Sequence, residues 1–155
     1  LSVTVGAVVY RNDIKRRRLA MRPVQFDDVE IDRLLGSDAI APQNEGTRIR
    51  PREIARRSIT LLSELGSGNF GIVRRGLYKP ENQGSSSVAY EVAAKLLKST
   101  APADVRDALL AEAVLMAQFD HPNVVALVGV VTAGDPMLLL MQFCTQGSLL
   151  SVLRL

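Results

Sequence analysis

Gly66-Ser-Gly68-Asn-Phe-Gly71 runs directly into Ile72-Val-Arg-Arg-Gly-Leu-Tyr78, and the order of these two stretches decides the fold. Glycine suits such a loop because a backbone without Cβ lets its amides approach phosphate oxygens closely. The pattern G-x-G-x-x-G is weak by itself, and an ordinary glycine-rich turn satisfies it equally well. The residues after the glycines discriminate. A dinucleotide-binding unit needs a helix there, with its N-terminus at the pyrophosphate. A Walker A loop needs Gly-Lys-Ser/Thr, which is missing. Residues 72–78 are instead mostly β-branched or apolar around one charged pair, which predicts a strand. With Ile59–Leu65 as a preceding strand, the unit is a strand–glycine loop–strand hairpin.

The pattern continues outward from that hairpin. Lys79–Ser87 has the composition of a hairpin loop, and Val88–Leu97 alternates as a third strand. Alternation puts Ala93, Lys95 and Leu97 on one face and Val92 and Ala94 on the other. Asp104 is expected to cap a helix running to about Gln118, with Asp107 in its first turn. His121-Pro122 ends that helix. Val124–Val131 and Met137–Phe143 are apolar runs suited to buried strands, and Gly147-Ser148 opens a final helix. The fold class is therefore α+β, a five-stranded sheet carrying one helix.

Two charges fall in apolar surroundings. Lys95 lies in Val92-Ala-Ala-Lys95, where a lysine either snorkels outward or pairs inside. Glu112 follows Val105, Ala108 and Leu109 and precedes Met116 and Phe119 at helical spacing, so it falls within an apolar stripe. Leu110, Val114 and Ala117 form a second stripe, which leaves the helix orientation open. An inward Glu112 needs a cation, and Lys95 is the available one; two surface charges are the plain alternative.

Composition bounds the rest. The chain has 47% apolar and 23% charged residues, which is globular. Residues 11–58 carry 12 basic and 8 acidic side chains, whereas residues 59–155 carry 7 and 8. The basic excess belongs to the leading segment, against a nucleic-acid-binding role for the compact part. The single cysteine, Cys144, excludes an internal disulfide, and one cysteine with one histidine argues against a His/Cys metal site. Leu1–Tyr10 is apolar and is followed by five basic residues up to Arg18. That order fits the cytoplasmic end of a membrane helix, with Tyr10 at the interface. Residues 11–58 read as a mostly irregular tether punctuated by Pro and Gly, with room for a short amphipathic helix near Phe26–Leu35.

These stretches resemble the protein kinase family. Leu65-Gly-Ser-Gly-Asn-Phe-Gly-Ile-Val73 is similar to its glycine-rich loop, Val92-Ala-Ala-Lys95 to its strand-three lysine motif, and Glu112 to its helix-C glutamate. Glu112-Ala-Val-Leu-Met116 through Leu127, and Met141-Gln-Phe-Cys-Thr-Gln-Gly-Ser-Leu-Leu150, resemble tyrosine kinases, including the focal adhesion kinase type. The resemblance runs from Ile59 to Leu155. It implies a kinase N-lobe, a five-stranded antiparallel sheet with one helix C, preceded by an irregular juxtamembrane segment. It implies three parts: 1–10, the end of a transmembrane helix; 11–58, the juxtamembrane segment; and 59–155, the N-lobe and hinge.

The resemblance also assigns roles. Lys95 and Glu112 form the catalytic ion pair. Gly66, Ser67, Gly68, Asn69, Phe70 and Gly71 cover the phosphates of ATP. Leu65, Val73 and Ala93 sit against adenine, Met141 is the gatekeeper, Gln142 and Cys144 meet the adenine edge, and Ser148 lies near the ribose. Met116 and Leu127 belong to a hydrophobic spine. The implied cofactors are ATP and Mg, with no metal ligand in these residues. The 155 residues contain neither His-Arg-Asp nor Asp-Phe-Gly, so the base and magnesium ligands are expected in a C-lobe. The implied partners are protein substrates, that C-lobe and, through the N-terminal segment, a membrane. The implied parent is a single-pass receptor tyrosine kinase; a pseudokinase or a serine/threonine kinase are the alternatives.

Overall fold

Leu138, Leu139 and Leu140 are 2%, 0% and 0% exposed, so the strand that carries them is covered on both faces. Each such side chain contributes about 2 kcal/mol of burial. The computed structural model describes residues 22–36, 48–68, 71–81, 88–98, 101–148, 150 and 153. The membrane-helix expectation at residues 1–10, the basic run after it, Asn69, Phe70 and most of the 79–87 loop lie outside the described residues, as does most of the final helix.

Five strands form one sheet: β1 (Ile59–Gly68), β2 (Gly71–Tyr78), β3 (Tyr90–Leu96), β4 (Leu127–Val131) and β5 (Leu138–Gln142). Their order is β1-β2-β3-β5-β4, and every neighbouring pair is antiparallel. Among the described residues two α-helices accompany the sheet, α1 (Asp28–Leu35) and α2 (Ala103–Ala117). Alternation along the strands splits the core in two. Leu139 and Val130 join Leu109, Leu110, Ala113 and Val114 of α2, whereas Val92, Ala94, Leu138, Leu140 and Val131 gather with Tyr78 and Ile54 on the other side.

Three expectations are corrected. Asp104 does not cap α2: the N-cap is Pro102, whose φ of −58° already suits helix entry, and it makes no side-chain capping bond. Asp104 lies in the first turn, where its charge suits the helix dipole; Asp107 lies beyond that turn and binds Arg33 instead. The buried face draws on both stripes, Leu109 from the first and Leu110 and Val114 from the second, with Val105 and Met116 packed against it, and it leaves out Ala108 and Phe119. Both residues are exposed, and the sheet-facing residues are Leu109, Leu110, Ala113 and Val114. A helix that is apolar nearly all round gives its own periodicity no face to select, so contact with the sheet selects it.

The third correction concerns the leading segment, which is not a loose tether where it is described. Asp27 caps α1 by accepting from the Glu30 amide at 2.8 Å. Phe26 and Ile31 are 7% and 0% exposed, packed in the same cluster as α2. Residues 52–54 then run beside β4: Val130 N–H donates to the Arg52 carbonyl (2.8 Å) and Ile54 N–H to the Val130 carbonyl (2.7 Å).

Arg33 of α1 donates to both carboxylate oxygens of Asp107, at 2.6 and 3.1 Å, and to Glu30. The hydrogen bond from Arg33 holds the Asp107 carboxyl below its ordinary value of 3.8. A depressed folded-state value stabilises the contact above pH 3.8, and this is lost as pH falls through the lower folded value. The protection of α1 amides, taken relative to their intrinsic exchange rates, should therefore fall as pH drops below 3.8. In Arg33→Ala that acid-dependent component should be absent; the same acid response in both proteins would argue against the assignment.

Candidate functional site

Register brings the sequence-derived residues onto one face of the sheet. Val73 stands opposite Lys95, Arg75 opposite Ala93, and Ala93 opposite Met141. Residues directly opposite one another project to the same side, so Val73, Ala93, Lys95 and Met141 line a common face. It is the face that carries α2. Lys95 Nζ donates to Glu112 Oε2 at 2.5 Å, with the two side chains 21% and 38% exposed. The two residues are thus brought together, and the lysine does not simply snorkel into water. Met116 and Leu127 are half-buried and pack against the α2-side core.

The glycines separate into two kinds. Gly71 has φ of +146°, and a Cβ on it would lie 2.0 Å from the Leu96 carbonyl oxygen. Its glycine is demanded by the close approach of β3. Gly66 and Gly68 are different: among the described residues, a Cβ on either meets nothing within 4 Å. None of these fills the space over them, on the strand that pairs Gly66 with Val73 and Ser67 with Ile72. Leu65 is 47% exposed at the same end of β1.

Beyond Gln142 the chain leaves the sheet. Gln142 N–H donates to the Ala126 carbonyl at 3.0 Å, and the Cys144 carbonyl accepts from Gly147 N–H at 3.2 Å, which turns the chain. Cys144 is an exposed free thiol, and Ser148 is exposed.

The structure adds residues that the sequence did not single out. Arg75 pairs with Glu91, and its guanidinium carbon lies 5.4 Å from the centroid of the Phe143 ring. A cation over an aromatic face ties β2 to the segment after Met141. Among the described residues Arg75 Nε is buried without a hydrogen-bond partner. Glu53 is the second addition. Its Oε1 accepts from the Thr132 and Ala133 amides (2.9 and 3.1 Å), and its Oε2 accepts from the Thr132 hydroxyl (2.9 Å). Neither group carried a sequence signal, because register and through-space proximity create both.

A sequence profile described as protein tyrosine and serine/threonine kinase matches residues 59–155. The chain belongs to the protein kinase family. The sheet with α2 is the kinase N-lobe, with α2 as its helix C. Ephrin type-B receptor 4a of Danio rerio is 32% identical over 164 aligned residues, covering 100% of this chain and 16% of that protein. Ephrin type-B receptor 3 of Xenopus laevis is 38% identical, covering 72% of this chain and 11% of that protein. Ephrin type-B receptor 5 of Gallus gallus is 40% identical over 111 residues. The matched part of the chain spans between 11% and 16% of these relatives' length.

Among the described residues, no helix is long and apolar enough to cross a membrane.

Proposed function

We propose that this lobe binds Mg-ATP, and that the protein containing it transfers the γ-phosphate of ATP to tyrosine on protein substrates, as a membrane receptor. The observation that carries the reading is the Lys95–Glu112 pair at 2.5 Å on the face beneath the glycine hairpin. Glu112 fixes the ammonium where it can meet the phosphates rather than wander with its flexible stem. The residues fit the nucleotide in shape as well as charge, since no described residue fills the space over Gly66 and Gly68 and the face beside it is apolar. Leu65, Val73 and Ala93 are assigned to the adenine, and Met141 to the back of its pocket. The Gln142 carbonyl and the Cys144 amide are assigned to its edge, Ser148 to the ribose, and Ser67, Asn69 and Phe70 to the loop over the phosphates. ATP supplies the transferable phosphoryl group; magnesium ligands and the base are assigned to a C-lobe.

Mg-ATP titrated into residues 1–155 should give measurable heat. Lys95→Met should weaken binding about 10- to 100-fold, the loss of one or two charge-assisted hydrogen bonds. Its melting temperature should stay close to that of the parent, because the partly exposed ion pair contributes little to stability. Equal affinity in the two proteins would remove Lys95 from the site. With a C-lobe joined to this lobe, phosphorylation of a tyrosine peptide in preference to its serine counterpart is the expected activity.

A further inference from the structure

We infer that Arg75 is a positioning residue: by holding residues 142–144 in one geometry it sets a preference for adenine over guanine. Its hold on those residues is a matter of geometry, whereas its effect on base choice rests on the nucleotide reading of the site.

Arg75 lies on the face that carries Lys95. It stands opposite Ala93, which stands opposite Met141. Alternation adds Val73, two positions back on β2, and Glu91, two positions back on β3. Two cations therefore share this face, each with its own carboxylate. Lys95 pairs with Glu112 at the end assigned to phosphate, and Arg75 pairs with Glu91 at the end assigned to adenine. The Arg75 guanidinium carbon also lies 5.4 Å from the centroid of the Phe143 ring, close enough for a cation to be drawn to an aromatic face. Among the described residues no acceptor meets the buried Arg75 Nε. An unpaired donor opposes burial, so Glu91 and the ring, not the Nε–H, account for where the guanidinium sits.

Phe143 is the point at which such a hold matters. The β3–β5 ladder ends at the Val92–Gln142 pair, where Gln142 N–H donates to the Ala126 carbonyl at 3.0 Å. Further on, the Cys144 carbonyl accepts from Gly147 N–H at 3.2 Å, a contact within the turn that does not reach the sheet. Strand pairing therefore no longer fixes the two peptides that flank Phe143. Its ring, set against Arg75, ties them back to β2.

Those two peptides carry the groups assigned to the adenine edge, the Gln142 carbonyl and the Cys144 amide. Adenine offers N6–H to a carbonyl and N1 to an amide. Guanine presents O6 as an acceptor where adenine presents the N6 donor, and its N1 carries a proton. A fixed carbonyl–amide pair thus meets guanine with like groups facing each other, which is costly. A pair free to rotate discriminates less. Arg75 acts on base choice through Phe143, without touching the base.

The test titrates Mg-ATP, Mg-GTP and magnesium tripolyphosphate into residues 1–155 and follows amide exchange at Phe143 and Cys144. The parent is expected to prefer ATP to GTP by about 10-fold or more. Arg75→Met should weaken ATP binding about 5-fold, the scale of one cation–π contact, and leave GTP and tripolyphosphate unchanged. Its melting temperature should stay close to the parent's, since the Arg75 and Glu91 side chains are 41% and 32% exposed. Protection of the two amides should fall by the same factor as ATP affinity. Arg75→Lys keeps a cation over the ring and should stay within about 2-fold of the parent. Added to Phe143→Leu, Arg75→Met should change nothing further, because both remove one contact. Equal losses of ATP, GTP and tripolyphosphate would overturn the inference, and so would an unchanged ATP preference in folded Arg75→Met. If Arg75→Met fails to fold, Phe143→Leu gives the same comparison. A parent that binds none of the three removes the nucleotide reading and the base preference with it, while amide exchange still decides whether Arg75 holds residues 142–144.

Discussion

Gly71→Ala is expected to destabilise the lobe by about 3–5 kcal/mol, whereas Gly66→Ala and Gly68→Ala should stay within about 1 kcal/mol of the parent. The three glycines belong to one motif but meet different surroundings. At Gly71 a methyl group would lie 2.0 Å from the Leu96 carbonyl oxygen, in backbone that cannot turn aside as a side chain would. The φ of +146° adds strain for any residue with a Cβ. Relief requires β2 and β3 to separate at the Ile72–Leu96 pairing. At Gly66 and Gly68 a methyl group meets nothing within 4 Å among the described residues, so none of these opposes it. The expected loss at those two positions is in nucleotide affinity, because the added methyl occupies space assigned to phosphate oxygens. Urea denaturation and Mg-ATP titration of the three variants separate the two effects. A Gly71→Ala protein as stable as its parent would show that the close approach to Leu96 is not a constraint.

Glu53→Ala should cost about 2–4 kcal/mol, the scale expected when a carboxylate serving several buried donors is removed. Two backbone amides, those of Thr132 and Ala133, lose their acceptor, and so does the Thr132 hydroxyl. Thr132 is 3% exposed, so water does not readily replace the lost partner. Val24 N–H donates to the same hydroxyl, so the damage spreads to the leading segment. Glu53→Gln keeps one carbonyl oxygen for the two amides and should lose only about 1 kcal/mol. Equilibrium unfolding of the two variants provides the check. A Glu53→Ala midpoint indistinguishable from the parent would mean that the network is redundant.

The glycine hairpin and the succession of five strands and a helix were legible in the chain because they rest on local signals, whereas the Lys95–Glu112 pairing was one of two readings that periodicity left open. Glycine spacing followed by a β-branched run excludes a helix after the loop. Period-two alternation puts Lys95 opposite in sense to Val92 and Ala94, and an apolar setting makes a lone carboxylate look for a cation. A short helix near Phe26–Leu35 was visible too, whereas its cap, Asp27, was supplied by the structure.

The surface on which that helix packs was not visible. Val24 meets Thr132 across 108 positions and Arg33 meets Asp107 across 74, and no local pattern names a partner at such distances. The face of α2 was undetermined too, because its apolar residues surround the axis and only the sheet chooses among them. The same holds for the glycines. Sequence required small residues at 66, 68 and 71, but only the paired backbone of β3 decided which of them is needed for the fold and which leaves room for a ligand. Periodicity and turn chemistry act within a few residues and so determined the elements. Burial and register act between elements, and these placed the leading segment on α2, Glu53 under Thr132 and Arg75 against Phe143.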